Sequence, residues 1–161
     1  MKRGDLRPSG AHVSGTYRYR LWRTLSAGTR RVLFVMLNPS TADAETDDPT
    51  LRRCLGFASQ WGFGRVEVCN LFAYRATNPA ALRLAVDPIG PKNHEYLVEA
   101  AAGCNLIVAA WGNVGHRSDQ SARVLATLRG LGQVKCLGTT GIGAPKHPLY
   151  VPYSAALKRY A

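Results

Sequence analysis

The sequence lacks any long hydrophobic run. No stretch of its 161 residues approaches the roughly 20 apolar positions that a membrane-spanning helix needs, so we expect no membrane partner. Residues 1–5 are charged and no apolar segment follows them, so a secretory signal peptide is not expected. Internal repeats are also missing, and the length suits one domain with its own core. We therefore expect a cytoplasmic protein.

Cysteine is scarce and badly spaced for metal binding. The chain has four cysteines and no Cys-x-x-Cys pair, the spacing typical of zinc and iron–sulfur sites. We therefore expect neither a metal site nor a cofactor. Cys69, Cys104 and Cys136 lie in or beside apolar segments, where we expect buried thiols.

Acidic residues are few as well. Lysine and arginine total 21 against 10 aspartates and glutamates, which gives a formal charge of +11. Such a balance favours a polyanionic partner, most often nucleic acid. Arginine outnumbers lysine, and its planar guanidinium group binds phosphate bidentately and stacks on bases. We expect a monomer that binds DNA.

What the sequence does contain is a series of apolar runs that lead to polar or aromatic residues. The runs cover residues 32–37, 66–69, 106–110 and 134–137, and they lead to Asn38, Asn70, Trp111 and His147. Helical patterns separate the runs, and Asp48 followed by Pro49 is typical of a helix start. This alternation predicts a parallel sheet covered by helices. Right-handed crossovers place the carboxyl ends of such strands at one edge, where open α/β sheets bind ligands.

The predicted fold is a three-layer α/β/α structure with a central four-stranded parallel sheet and an N-terminal β-hairpin. Residues 17–23 alternate aromatic or apolar side chains with arginines, which indicates a half-exposed strand whose arginine face contacts either phosphate or solvent. A turn at residues 26–29 then makes this strand the first arm of a hairpin with the strand at residues 32–37. Residues 1–12 are predicted to be a flexible basic N-terminus, and residues 13–161 a single α/β domain.

The order of the short motifs at the strand ends resembles the uracil-DNA glycosylase superfamily. The segment Leu37-Asn38-Pro39-Ser40 resembles an early motif that positions water in that family. Asn70 resembles part of a middle motif that reads the base edge, and His147-Pro148 resembles a late motif that supplies an imidazole and a wedge. The ordered set covers roughly residues 32–152. The resemblance implies a protein that hydrolyses the N-glycosidic bond of a modified or deaminated base, uracil-type or another pyrimidine, flipped out of DNA.

The resemblance also implies roles for individual residues. Asn38 is expected to orient the attacking water, and His147 to donate to the base carbonyl as negative charge develops. An amide cannot act as a base, so Asp43, in the loop that follows, is the nearest candidate carboxylate. Base-binding candidates are Asn70, which matches a pyrimidine edge, and the aromatic residues Phe72, Tyr74 and Trp111. Candidate DNA contacts are Ser40, Arg52, Arg53, Arg75, Lys146 and the two wedge residues Leu149 and Tyr150.

Other interpretations of the same residues remain open. Asn38 can cap the strand exit as an Asx turn, His147 can be a structural loop histidine, and residues 52–53 can lie on a solvated helix face. The segments 38–43, 47–50 and 52–54 also look like a bacterial family of uncharacterised domains.

Two further functions are compatible with the sequence. One is a metal-dependent nucleotide or nucleoside hydrolase, in which oxygen ligands come from the acidic loop with Asp43, Glu45, Asp47 and Asp48. The other is a non-catalytic nucleic-acid-binding module of the same fold.

Overall fold

A computed structural model describes residues 8–160 of the chain. Its strands are β1 (Ser9–Ser14), β2 (Tyr17–Thr24), β3 (Arg31–Met36), β4 (Arg65–Asn70), β5 (Leu106–Ala109), β6 (Val134–Cys136) and β7 (Lys158–Arg159). Its α-helices are α1 (Pro49–Gln60), α2 (Asn93–Gly103), α3 (Gly112–His116) and α4 (Asp119–Leu131). Two short 3-10 helices cover Pro79–Arg83 and Pro148–Tyr150. None of the helices described here is long and apolar enough to cross a bilayer.

The strands form one mixed sheet in the order β1-β2-β4-β3-β5-β6-β7. The four middle strands, β4, β3, β5 and β6, are parallel to one another, whereas β1, β2 and β7 pair antiparallel at the two edges. The predicted α/β class is confirmed, and the predicted four-stranded parallel sheet is matched only in part, because the four parallel strands form the centre of a seven-stranded mixed sheet. The parallel strands bring their carboxyl ends to one edge.

The N-terminal hairpin also differs from the predicted one. β2 pairs with β1 across a two-residue turn at residues 15–16 and with β4 on its other side, and it does not pair with β3. Gly15 occupies this turn with a φ of 59°, a conformation that glycine adopts without steric cost. Of the residues 1–12 that were predicted to be flexible, residues 9–12 form the first part of β1, and residues 1–7 lie outside the described range.

Helices cover both faces of the sheet and divide the core in two. On one face, α1 packs its buried side chains, such as Leu51 and Phe57, against β3 and β4. On the other face, α2 and α4 pack Leu97 and Leu128 against the same sheet. All four cysteines are free, and three are buried, whereas Cys104 is only partly buried.

A network of buried ion pairs lies on the face of the sheet that α2 and α4 cover. Glu67 on β4 is fully buried, and the Arg20 guanidinium donates to its two oxygen atoms at 2.6 and 2.8 Å. Arg65 donates to the same carboxylate at 3.2 Å, and Arg31 lies 3.8 Å from it. Charges this deep are tolerated only when they are paired. These arginines therefore serve the fold and do not form an external basic face.

Candidate functional site

A cleft of about 660 Å³ opens at the carboxyl ends of the parallel strands, on the side of the sheet that α1 covers. Its walls come from the segment after β3, the first turn of α1, and the segments after β4, β5 and β6. Because parallel strands end at a common edge, residues far apart in sequence meet in this cleft. Open α/β sheets hold their ligands at this position.

The cleft collects some of the predicted site residues and leaves others outside. The residues that line it are Asn38, Ser40, Trp111, Lys146, His147, Leu149 and Tyr150. The predicted residues that do not line it are Asp43, Arg52, Arg53, Asn70, Phe72, Tyr74 and Arg75.

Asn38 is anchored in the loop that leaves β3. Its Nδ2 donates to the carbonyl oxygens of Pro39 at 3.0 Å and Ala76 at 2.8 Å, which ties this loop to the segment after β4. Within residues 8–160, no hydrogen bond reaches its Oδ1. An amide oxygen held in this way is an acceptor ready for a water or a ligand donor.

His147 is held in one tautomer. Its Nδ1 accepts a hydrogen bond from the backbone N–H of Leu149 at 3.2 Å. Burial lowers the pKa of His147 below its ordinary value of 6.5, and the charge of Asp48 only partly opposes this effect. The imidazole is therefore neutral at pH 7, and since Nδ1 is an acceptor, the proton resides on Nε2. The side chain offers the cleft a neutral N–H donor.

Asn70 lies on the cleft side of the sheet but behind the cleft wall. The alternation of β4 directs it to the same face as Val68, which lines the cleft. It is only 1% exposed, and neither its Nδ2 nor its Oδ1 has a hydrogen-bond partner. A buried amide without partners carries a desolvation cost. This cost would be relieved if a ligand reached Asn70.

Three carboxylates of the acidic loop, those of Asp43, Asp47 and Asp48, make hydrogen bonds or ion pairs within the fold. The carboxylate of Asp43 accepts the backbone N–H groups of Glu45 and Thr46 at 2.9 and 2.8 Å, and these bonds lower its pKa. Asp47 pairs with Arg23 at 2.9 Å, and Asp48 caps α1 by accepting from the Leu51 N–H at 2.8 Å. The candidate catalytic carboxylate Asp43 is therefore engaged in hydrogen bonds within its own loop, and it does not line the cleft. No group of three or more potential metal-binding side chains occurs in the part of the chain described.

The aromatic candidates are not placed as a stacking platform. Trp111 lines the cleft, but its indole ring packs into the second core, edge-on to Tyr160 with 5.9 Å between ring centroids. Phe72 also packs against the second core, and the Tyr74 ring lies against Tyr17 at 6.4 Å. Proximity to a strand end in the sequence predicts that an aromatic residue lies near the cleft, but it does not determine the face on which the ring packs.

The segment after β6 presents two apolar side chains at the rim. Leu149 is 39% exposed and Tyr150 is 82% exposed, and both line the cleft from the 3-10 helix Pro148–Tyr150. Exposed large side chains beside a cleft are what a duplex-inserting wedge requires.

The predicted phosphate contacts separate into two groups. Arg53 donates to the carbonyl oxygens of Pro148, at 3.4 Å, and Val151, and its guanidinium lies 3.9 Å from the ring centre of Tyr153. It thereby fastens residues 148–153, called the wedge segment below, to α1, and its guanidinium is not available for phosphate. Arg52, by contrast, is exposed, as is Lys146 at the cleft.

A family model places the chain among known sequences. The family described as Protein of unknown function (DUF1643) matches residues 18–149, most of the chain. The chain belongs to this family. No curated protein matches the chain, and no solved structure matches it either.

The DUF1643 match begins at Arg18, a cleft residue that the sequence analysis did not select. The alternation of residues 17–23 predicted one partly exposed arginine face, but Arg18, Arg20 and Arg23 are all buried. Arg20 and Arg23 form internal ion pairs with Glu67 and Asp47. A β-bulge accounts for Arg18, because Arg20 pairs with His12 while Arg18 pairs with the next residue of β1. The residue between them breaks the alternation and redirects Arg18 to the cleft. No signal in the sequence marks this bulge.

Proposed function

We propose that this protein is a DNA glycosylase-like hydrolase that cleaves the N-glycosidic bond of a modified or deaminated base flipped into the cleft. The observation that carries the proposal is the meeting of Asn38 and His147, from the loops after β3 and β6, in one cavity. The cavity of about 660 Å³ lies in the size range of small-ligand pockets and accommodates a base with its sugar. A base must leave the stack to enter such a pocket.

The chemistry follows from the two anchored side chains. The Nε2–H of His147 donates to a carbonyl oxygen of the base, where negative charge accumulates as the bond to the sugar breaks. A neutral donor suits this role, because Nδ1 stays bound to the Leu149 N–H throughout. The Oδ1 of Asn38 accepts a hydrogen bond from the water that attacks the sugar.

The mechanism relies on leaving-group stabilisation more than on general base catalysis. Asp48 is the one carboxylate among the described residues that line the cleft, and it accepts hydrogen bonds from the Leu51 and Ala42 N–H groups. Asp43, the base expected from the sequence, lies outside the cleft. Because an oxocarbenium-like sugar is strongly electrophilic, a water that is only weakly activated can attack it. Departure of the base is therefore the step that requires catalysis.

The rim supports binding to a duplex. Leu149 and Tyr150 protrude beside the cleft, where they would fill the space left by the flipped nucleotide. The exposed Lys146 and the formal charge of +11 favour the phosphate backbone.

A second candidate is a nucleic-acid-binding module without catalysis. The hydrogen bonds that Asp48 accepts from backbone N–H groups favour this candidate. A cleft without a free carboxylate can bind a base without cleaving its bond to the sugar. The two candidates share the ligand and differ only in turnover.

A base-release assay separates them. The pure protein is incubated with single- and double-stranded DNA carrying uracil, mismatches, hypoxanthine or hypermodified pyrimidines, and abasic sites are detected by alkaline cleavage. We expect release from at least one substrate, and a loss of about ten- to a thousandfold in His147→Ala with duplex binding retained. His94→Ala, on the exposed side of α2, is the matched control and keeps full activity. Duplex binding without release on the whole panel supports the binding module, and the absence of both contradicts both candidates.

A further inference from the structure

Arg18 is a buried cation with too few partners. It lines the cleft, is 4% exposed, and its Nη1 donates to the carbonyl oxygen of Ala42 at 2.7 Å. A guanidinium has five N–H donors, yet this is the one side-chain hydrogen bond that Arg18 makes within residues 8–160. Its Nε is buried without any acceptor. Donors therefore remain unused beside an open cavity.

The charge of Arg18 is also unpaired. No carboxylate of the described residues lies within ion-pair distance of it, and the attraction from Asp48 comes from a group already engaged in capping α1. Burial lowers the pKa of Arg18 to about 10, so the guanidinium remains protonated at neutral pH. An uncompensated buried charge is unfavourable unless something else completes its surroundings.

Two other buried arginines of β2 can be compared with Arg18. Arg20 lies two residues away and binds the Glu67 carboxylate at 2.6 Å, and Arg23 pairs with Asp47 at 2.9 Å. Both are as buried as Arg18, and both have an internal carboxylate. Arg18 alone of these three is directed by the β-bulge towards a cavity, and it alone lacks an anion.

We propose that Arg18 binds a compact oxyanion, a carboxylate or a phosphate, carried by the ligand of the cleft. A guanidinium recognises both groups through paired N–H···O bonds, and such bonds are strongest when water is excluded. Lys146, exposed at the cleft, adds a second positive charge, whereas His147 is neutral. The ligand is therefore an anionic one and not a plain neutral base.

This inference rests on the proposed function only in using the same cleft, and it concerns binding and not base release. A failure of base excision therefore leaves it standing, and a failure of anion binding leaves the glycosylase proposal to its own assay. The anion has two sources, a carboxylate on the base or the phosphate of the nucleotide, and the probes distinguish them.

The first experiment uses the unaltered protein. Uracil, orotate (uracil with a ring carboxylate) and deoxyuridine monophosphate are titrated by calorimetry, while the Arg Nε–H signals are followed by nitrogen-edited NMR. We expect orotate or deoxyuridine monophosphate to bind about ten- to a hundredfold more tightly than uracil and to shift the Arg18 Nε–H resonance. Preference for orotate assigns the anion to the base, and preference for the monophosphate assigns it to the backbone.

Variants test the residue itself. Arg18→Met removes the charge at similar volume and is expected to abolish the preference for the anionic probes, whereas Arg18→Lys retains a part of it. Arg123→Met, an exposed position on α4, is the control for charge loss and binds like the unaltered protein. Circular dichroism establishes that each variant is folded; if Arg18→Met is not, the NMR shift in the unaltered protein decides. Equal affinity for uracil and the anionic probes, no binding of any probe, or an unmoved Arg18 signal overturns the proposal.

Discussion

The hydrogen bond between the Leu149 N–H and His147 Nδ1 does two things at once. It caps the 3-10 helix that carries the wedge residues, and it fixes the proton of the neutral imidazole on Nε2. Protonation of His147 would place a second N–H opposite the Leu149 donor and break this bond. The protonation state of one side chain is thereby linked to the stability of a cleft wall.

This linkage predicts a pH-dependent contribution to stability. Burial holds the pKa of His147 below 6.5, its ordinary value, so the unfolded chain takes up this proton at a higher pH than the folded one. The stabilising contribution is therefore fully present above pH 6.5 and is lost as the pH falls through the lowered pKa. The free energy of unfolding of the unaltered protein minus that of His147→Gln, from urea titrations between about pH 5 and 8, should shrink towards acid. A difference that stays constant across this pH range would contradict the linkage.

At the level of elements, Arg53 ties residues 148–153, the wedge segment, to α1. Arg53 donates to the carbonyl oxygens of Pro148 and Val151 and lies over the ring of Tyr153. Arg53→Ala should lower the free energy of unfolding by about 2–4 kcal/mol, because charged hydrogen bonds and a cation–π contact are lost together. Its exposed neighbour gives the control, since Arg52→Ala should stay within about 0.5 kcal/mol. Urea unfolding of both variants measures this, and equal effects would show that Arg53 is not a tether.

The elements also differ in how far the sequence could predict them. β3 and β5 are largely buried on both faces and appear as nearly continuous apolar runs, whereas Glu67 and Lys135 interrupt the runs of β4 and β6. Asp48 with Pro49 marks the start of α1. The partner of β2 is set by long-range pairing with β4, which no local pattern encodes, so the hairpin was predicted on the wrong side. Arg53 is a similar case, because its acceptors lie in a distant segment. The order of strands and helices in the sequence predicts which loops meet at the cleft. Which side chains remain free there depends on contacts with distant parts of the chain.

At the scale of the whole molecule, the surplus of positive charge is less available than its formal value suggests. Four arginines among residues 8–160 are buried, namely Arg18, Arg20, Arg23 and Arg65, and the last three form ion pairs inside the fold. The proposed contact with DNA would therefore depend on which exposed cations surround the cleft, and not on the total of +11.

Two exposed cations test that argument: Lys146, which lines the cleft, and Arg52, which follows the cleft residue Leu51 on α1. Each cation that contacts a phosphate releases about one counterion, so the salt dependence of duplex affinity counts such contacts. Replacing both Arg52 and Lys146 with glutamine should weaken binding of an undamaged duplex similarly for all sequences and reduce the slope of log K against log salt by about 2. The pair Arg123 and Arg129 on α4 carries the same charge on the opposite face of the sheet, so its replacement should leave the slope unchanged. Filter binding or fluorescence anisotropy across a range of salt concentrations measures both. If replacing the α4 pair reduces the slope as much as replacing Arg52 and Lys146, the protein attracts DNA over its whole surface and not preferentially at the cleft. That result would remove the electrostatic support for placing a flipped base in the cleft.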